Sequence, residues 1–170
     1  MTQDRALQDK VVLMTGGARG IGASGALALA NRGAYLHVTD VLDCGETVKS
    51  IQDEGGQAEA HKLDITDRAA CQALADAIRA QHGHLDILVC NAGVCPEGSV
   101  AGDWEQWERV IDINLHGTQN CIAAVYDGMK ETGFGRIVIV SSMAYYQGGL
   151  IVGSEYSASK AAVIGLTRHI

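Results

Sequence analysis

Apolar and polar positions follow two rhythms along the chain. Unbroken apolar runs recur at 10–15 (KVVLMT), 34–39 (AYLHVT), 85–89 (LDILV) and 136–140 (RIVIV). They are rich in β-branched and aliphatic residues, which predicts strands. A fifth segment, 58–63 (AEAHKL), alternates with polar residues and predicts a strand near a sheet edge. Between these runs the apolar positions recur with helical period. Ala23, Ala26, Leu27 and Ala30 share one face, as do Cys71, Leu74, Ala75 and Ile78, and later Ile122, Val125, Tyr126 and Met129. Strands separated by helices in strict alternation imply right-handed crossovers and a parallel sheet covered on both faces. The predicted architecture is a doubly wound α/β sheet in a single domain over 1–170, with no internal repeat or low-complexity linker.

Composition narrows the function classes. With 13 basic against 20 acidic residues the net charge is −7, which argues against a polyanion-binding surface and so against nucleic acid. Five cysteines (Cys44, Cys71, Cys90, Cys95 and Cys121) are odd in number and lack CxxC spacing. They read as reduced, mostly buried thiols of a cytosolic protein. The opening MTQDRALQDK has no apolar run, so no secretory signal is expected. No stretch reaches the length of a membrane span. The expectation is a cytoplasmic protein with neither membrane nor nucleic acid as partner.

The first predicted strand runs directly into TGGARGIGASGALALA. Glycines at 16, 20 and 22 sit between a strand end and a helix start. Such residues permit positive φ and let a pyrophosphate approach the backbone, while amides at the helix start point at the phosphates. The competing reading is an ordinary strand–helix turn. Gly25, one turn into the helix, is expected to allow close packing of helix on sheet. Asp40 ends the second strand, where a carboxylate accepts hydrogen bonds from ribose hydroxyls and repels a 2′-phosphate. That favours NAD over NADP. Arg19 pulls the other way, and a capping or turn role for Asp40 is the alternative. Asp64 closes the third strand and Asn91, Ala92 and Gly93 close the fourth, at the ends where ligands of open parallel sheets bind.

Near the C-terminus, Tyr156 and Lys160 are four residues apart in EYSASKAAVIGLTRHI, on one face of a predicted helix. A tyrosine ionises near pKa ~10, too high for a base at neutral pH, and a neighbouring ammonium lowers that value. Ser141 and Ser142 lie just past the fifth strand, where a hydroxyl could steady a developing alkoxide. Asn114, in DINLHG, falls where two helical segments meet and could hold a proton-relaying water. Taken alone, a tyrosine and lysine at this spacing read as a half-buried ring beside a solvated cation. His82 and His84 flank Gly83 without a third ligand spaced for metal, so no metal site is expected. Trp104 and Trp107 read as packing residues.

Thr15-Gly16-x-x-x-Gly20-x-Gly22, Asn91-Ala92-Gly93, Asn114, Ser142 and Tyr156-x-x-x-Lys160 together resemble the short-chain dehydrogenase/reductase family, in order and over essentially the whole chain. The resemblance implies a Rossmann-like sheet of order 3-2-1-4-5 and an NAD-dependent oxidoreductase acting on a secondary alcohol or ketone. It implies Tyr156 as general acid/base, Ser142 orienting the substrate oxygen, and Lys160 tuning Tyr156 and holding the nicotinamide ribose. It further implies Asn114 anchoring a relay water, Asp40 selecting NAD, and Asp64 with Ile65 at the adenine. Gly16, Arg19, Gly20, Ile21, Gly22, Asn91, Ala92 and Gly93 complete the cofactor contacts. Ser142 precedes Tyr156 by fourteen residues, one more than is usual for the family, and Tyr145 and Tyr146 stand where small residues are usual. The family also leaves a homodimer or homotetramer open, through the helix at 115–131 and the one beginning near 155.

Members of that family run to roughly 250 residues. The apolar IVIV at the expected sheet margin carries none of the charges that protect an exposed edge. A chain cut short is the expectation, and a cofactor-binding remnant without turnover is the alternative to the enzyme.

Overall fold

β1 (Val11–Thr15) is buried at every position, and its alternating side chains feed two separate cores. Val11 and Leu13 join one apolar cluster, Val12 and Met14 the other, as the two-residue period of a strand requires. The same alternation on both faces makes this strand the centre of the sheet. The structure, a computed structural model, describes residues 5–149 and 151–170. β1 pairs in parallel with β2 (Tyr35–Asp40) on one side and β4 (Ile87–Cys90) on the other. β3 (Gln57–Lys62) and β5 (Arg136–Ile139) extend the two flanks, also in parallel. The order is β3-β2-β1-β4-β5, as the resemblance implied, with AEAHKL at an edge as its pattern predicted.

Helices cover both faces. α1 (Gly20–Ala30) and α2 (Gly45–Asp53) lie against the cluster built on Leu36, Val38 and Val89. α3 (Arg68–His82) contributes Cys71, Ala75 and Ile78 to the opposite cluster. Its N-cap Asp67 accepts from the Ala70 amide at 2.9 Å, and Gly83 ends it in the left-handed region with φ 82°. α4 (Trp104–Ile111) continues without a break through a π-helical turn at Asp112–Gly117 into α5 (Thr118–Thr132). The meeting of two helical segments expected at Asn114 is therefore one helix with an inserted wide turn, a feature that concentrates at functional sites.

Ile122, Val125 and Met129 of α5 are buried as their period predicts, but Tyr126 is exposed. Trp104 and Trp107 stack on each other at 5.9 Å, with Trp104 largely in solvent. On β5, Ile137 and Ile139 pack against the core while Val138 is half exposed. A short α6 (Ala144–Gln147) and α7 (Ser154–His169) follow. Four of the five cysteines are buried and Cys95 is exposed. No helix among the described residues is long and apolar enough to cross a membrane.

One polar cluster interrupts the core on the α3 side of the sheet. His37, in the middle of β2, is fully buried. Its Nδ1 is 2.9 Å from His61 Nε2 on β3, and its Nε2 is 3.0 Å from His82 Nε2 at the end of α3. Burial, helped by the neighbouring His61, pushes His37 down to about 4, and burial also lowers His61. Tyr35 donates to Glu59 at 2.5 Å, and that bond pushes the phenol up to about 12.

Candidate active site

The turn after β1 is held backbone against backbone. Thr15 Oγ1 donates to the Val89 carbonyl and accepts from the amides of Asn91 and Ala92, at 3.1–3.2 Å, which ties the ends of β1 and β4 together. Asn91 Nδ2 donates to the carbonyls of Thr15 and Gly16 at 3.1 and 2.9 Å. Gly16 has φ 66°, and a Cβ on it would lie 2.7 Å from Ala92 Cα. A Cβ on Gly22 would lie 2.0 Å from the Gly16 carbonyl oxygen. Neither contact can be relieved by a side-chain rotation, so both positions require glycine. Gly25 faces β1 as expected: a Cβ on it would lie 3.3 Å from Met14 Cε, a tight contact of helix on sheet, whereas the crowding at Gly22 comes from the turn itself.

Gly20 differs from these two. It has φ 58°, and a Cβ on it would meet nothing within 4 Å. It faces open space at the start of α1, whose N-cap residue Arg19 makes no side-chain cap. The first amides of α1 are therefore left to a ligand, and a helix N-terminus favours an anionic one. Gly16, Gly20 and Gly22 thus form a turn closed by backbone at Gly16 and Gly22 and open at Gly20.

Asp40 sits at the carboxyl end of β2, as expected. Its two oxygens accept from the amides of Ala18 at 3.2 Å and Leu42 at 3.1 Å. These bonds aim the carboxylate across the glycine turn and leave lone pairs for a diol. Asp64 lies two residues beyond β3 and folds back on Thr66, accepting from its amide at 2.9 Å and its hydroxyl at 2.8 Å. Gly16, Arg19, Gly20, Ile21, Gly22, Asp40, Asp64, Ile65, Asn91, Ala92 and Gly93 all line one cleft of about 780 Å³. Residues not anticipated also line it: Thr66, Val41 and Leu42 follow the strand ends, and Arg109, Asp112 and Ile113 come from α4 and the wide turn. Helical period alone carried no sign that this second group faces the glycines.

Tyr156 and Lys160 do not line that cleft; Lys160 adjoins it through Gly93. A Cβ on Gly93 would lie 3.0 Å from Asn114 Oδ1 and 3.6 Å from Lys160 Nζ. Asn114 is buried, accepting from the Val94 amide at 2.8 Å and donating to the Val94 carbonyl at 2.9 Å and Ser159 Oγ at 3.1 Å. Both of its amide hydrogens are committed, and one lone pair on Oδ1 remains. The wide turn at Asp112–Gly117 sets this side chain against the loop after β4 and α7 at once. Lys160 is buried and donates to the Val140 carbonyl at 2.8 Å. Its Nζ lies 5.8 Å from the Tyr156 ring centre, and burial lowers its pKa from the ordinary lysine value.

Ser141 donates to the Lys160 carbonyl at 2.8 Å, anchoring the loop after β5 to α7. Ser142 Oγ accepts from the Ala144 amide at 3.2 Å, which leaves its own proton to donate elsewhere. Among the described residues, Ser142 and Tyr156 are not hydrogen-bonded to each other, and the Tyr156 hydroxyl keeps its full bonding capacity. Beside it, the buried Glu155 accepts from Gln106 Nε2 at 2.8 Å, fixing the first turn of α7 to α4. Tyr145 and Tyr146 meet edge-to-face at 6.2 Å and are exposed.

The chain is similar over nearly its whole length to known dehydrogenases. Cis-4-hydroxycyclohexanecarboxylate dehydrogenase of Sinomonas cyclohexanicum is 39% identical over 96% of this chain and 66% of its own. The 2-dehydro-3-deoxy-L-rhamnonate dehydrogenase (NAD(+)) of a Sphingomonas species is 37% identical over 95% of this chain and 64% of its own. The crystal structure of NAD+-bound xylitol dehydrogenase superposes with a TM-score of 0.88 at 30% identity, over 96% of this chain and 64% of that one. The chain spans about two thirds of the length of these proteins. Residues 10–170 match the family described as short chain dehydrogenase. With the sheet order, the glycine cradle and the tyrosine–lysine pair all in their places, the chain belongs to the short-chain dehydrogenase family.

Proposed function

We propose that the protein is an oxidoreductase that moves a hydride between NAD(H) and a secondary alcohol or ketone. The observation that carries this reading is the continuity of two groups of residues. Every residue expected to touch only the dinucleotide lines one cleft, and Gly93 at its end abuts both Asn114 and Lys160. Room for the dinucleotide's diphosphate at the glycine turn is supported by Gly20, where a Cβ would meet nothing within 4 Å at the uncapped start of α1. When bound, the nicotinamide supplies or accepts the hydride.

The chain's own residues supply position and a proton path. In the oxidative direction Tyr156 Oη takes the hydroxyl proton of the alcohol, and in the reductive direction it returns one to the carbonyl oxygen. Lys160 sets a positive charge beneath the ring, stabilising the negative charge that develops on Oη. Ser142, accepting from the backbone and free to donate, holds the substrate oxygen. Asn114 locks the loop carrying Val94 to α7, with its remaining lone pair open to a water leading to Lys160. Asp40 accepts from the ribose hydroxyls and disfavours a 2′-phosphate, which supports NAD over NADP. A small alcohol or ketone as partner and a cytoplasmic location belong to the same reading, and the faces of α5 and α7 are available for a homodimer or homotetramer.

The test is direct. NADH and NADPH affinities are measured by ligand fluorescence, and initial rates are then taken with NAD+ over a panel of secondary alcohols. Tight NADH binding with turnover supports the reading. Binding without turnover on any alcohol favours the cofactor-binding remnant, and a preference for NADPH removes Asp40 from its role.

A further inference from the structure

The histidine cluster beneath α3 has no part in the proposed chemistry. The geometry points to a divalent transition-metal site of the zinc type, formed by His37 Nδ1, His61 Nε2 and one carboxylate oxygen of Glu59. These three ligand atoms lie within 4.8 Å of one another. The two imidazole nitrogens are 2.9 Å apart, and Glu59 Oε2 is 4.0 Å from His61 Nε2. A tetrahedral ion with bonds of about 2.0–2.1 Å needs ligand–ligand edges of about 3.3–3.4 Å. The 2.9 and 4.0 Å edges bracket that value; opening the first by about 0.4 Å and drawing Glu59, within 4.8 Å of His37, inward by about 0.6 Å or more through its side-chain torsions admits the ion.

The residues behind the ligands are already in the positions a metal site requires. Glu59 Oε1 accepts from Tyr35 Oη at 2.5 Å and Gln81 Nε2 at 2.6 Å, which turns Oε2 toward the histidines. If Nδ1 of His37 binds the ion, its proton moves to Nε2, which donates to His82 Nε2 3.0 Å away. Ligating histidines commonly donate their second nitrogen in this way, and ligating carboxylates are themselves hydrogen-bonded. Three neutral imidazoles carry three protons before and after, so binding needs only a change of tautomer.

Access comes from the edge of the sheet. His37 is fully buried, whereas the side chains of His61 and Glu59 are 26% and 38% exposed. Three protein ligands leave a fourth position for water on that side. The ion would clamp edge strand β3 to β2, on the opposite side of β2 from the α1 and α2 contacts. Sequence spacing gave no hint of it, because the ligands come from two strands and are oriented by a third element.

The test uses the chelator-treated chain in a Cys95→Ser background, which removes the exposed thiol as a competing ligand. Calorimetric titration with zinc chloride should show one equivalent bound and a rise in melting temperature. His61→Ala and Glu59→Gln should abolish that binding, Tyr35→Phe should weaken it about tenfold, and His84→Ala should leave it unchanged. Should a ligand variant fail to fold by circular dichroism, imidazole NMR of the Cys95→Ser chain decides: the His37 and His61 ring signals should shift with one equivalent of zinc. Absence of saturable binding, binding retained in both ligand variants, or shifts confined to His84, His116 and His169 would overturn the proposal.

Discussion

Lys160 Nζ donates to the carbonyl oxygen of Val140 across 2.8 Å, joining the first half of α7 to the end of β5. The ammonium is buried, and burial lowers its pKa, so the backbone dipole of Val140 is part of what keeps the charge in place. Lys160→Met should therefore cost turnover about 10²–10⁴-fold, the usual size of an acid–base contribution. It should also cost about 1 kcal/mol of stability from the unpaired carbonyl. Lys160→Arg should not restore the rate, because a planar fork cannot occupy the site of a compact ammonium. Steady-state kcat for the two variants, with urea unfolding of the first, checks both.

Tyr156 is only partly buried, and its hydroxyl has no protein partner among the described residues. Tyr156→Phe therefore removes a proton carrier without breaking a structural bond. The expected result is a loss of kcat of about 10²–10⁴-fold, with NADH affinity and melting temperature unchanged. A variant that turns over at the parental rate removes Tyr156 from the mechanism, whatever its affinity for NADH.

Asp40 has two duties that can be separated. It accepts from the amides of Ala18 and Leu42, and it lies on the wall of the dinucleotide cleft. Asp40→Asn keeps an oxygen acceptor but loses the charge that repels a 2′-phosphate. Its preference for NADH over NADPH should narrow by about tenfold, about 1.4 kcal/mol, with a smaller loss of stability than Asp40→Ala because one of the two acceptor oxygens remains. Asp40→Ala should narrow the preference as well and also destabilise the turn by about 1 kcal/mol. Paired affinity and unfolding measurements separate the two effects, and an unchanged nucleotide preference in both variants excludes the ribose role.

The sheet was legible because its signal is local. β1 reads as a strand from four apolar residues in a row, and AEAHKL reads as an edge from its own alternation. The glycine cradle was legible for the same reason, since Gly16, Gly20 and Gly22 lie within seven residues of one another. Features created by distant segments were not. Arg109 and Asp112 line the cleft from the helix that leads into the wide turn, and an extra residue per turn leaves little trace in an apolar period. The crowding that requires glycine at 22 comes from the Gly16 carbonyl, a backbone contact within the turn that spacing along the chain does not reveal. His37 looked like one polar residue in an apolar strand until β3 and α3 brought His61 and His82 to it.

Cys90 ends β4 directly beneath the Asn91 turn and is buried. Burial, reinforced by Cys71, pushes its thiol from 9.0 up to about 12. The folded-state value lies above the unfolded one, so the stabilisation is fully present below pH 9 and declines as pH rises toward 12. In that window the unfolded chain releases a proton that the folded chain retains. The slope from this group is at most about 1.4 kcal/mol per pH unit. Cys44, raised to about 11 mainly by burial, adds to the loss from pH 9 upward. Urea unfolding at pH 8, 9.5 and 10.5 should therefore show stability falling across the series. Cys90→Ala, less stable at pH 8 by about 1 kcal/mol, should fall less steeply. An identical slope in the two proteins would mean that the thiol at the end of β4 is not the group whose ionisation opens the fold.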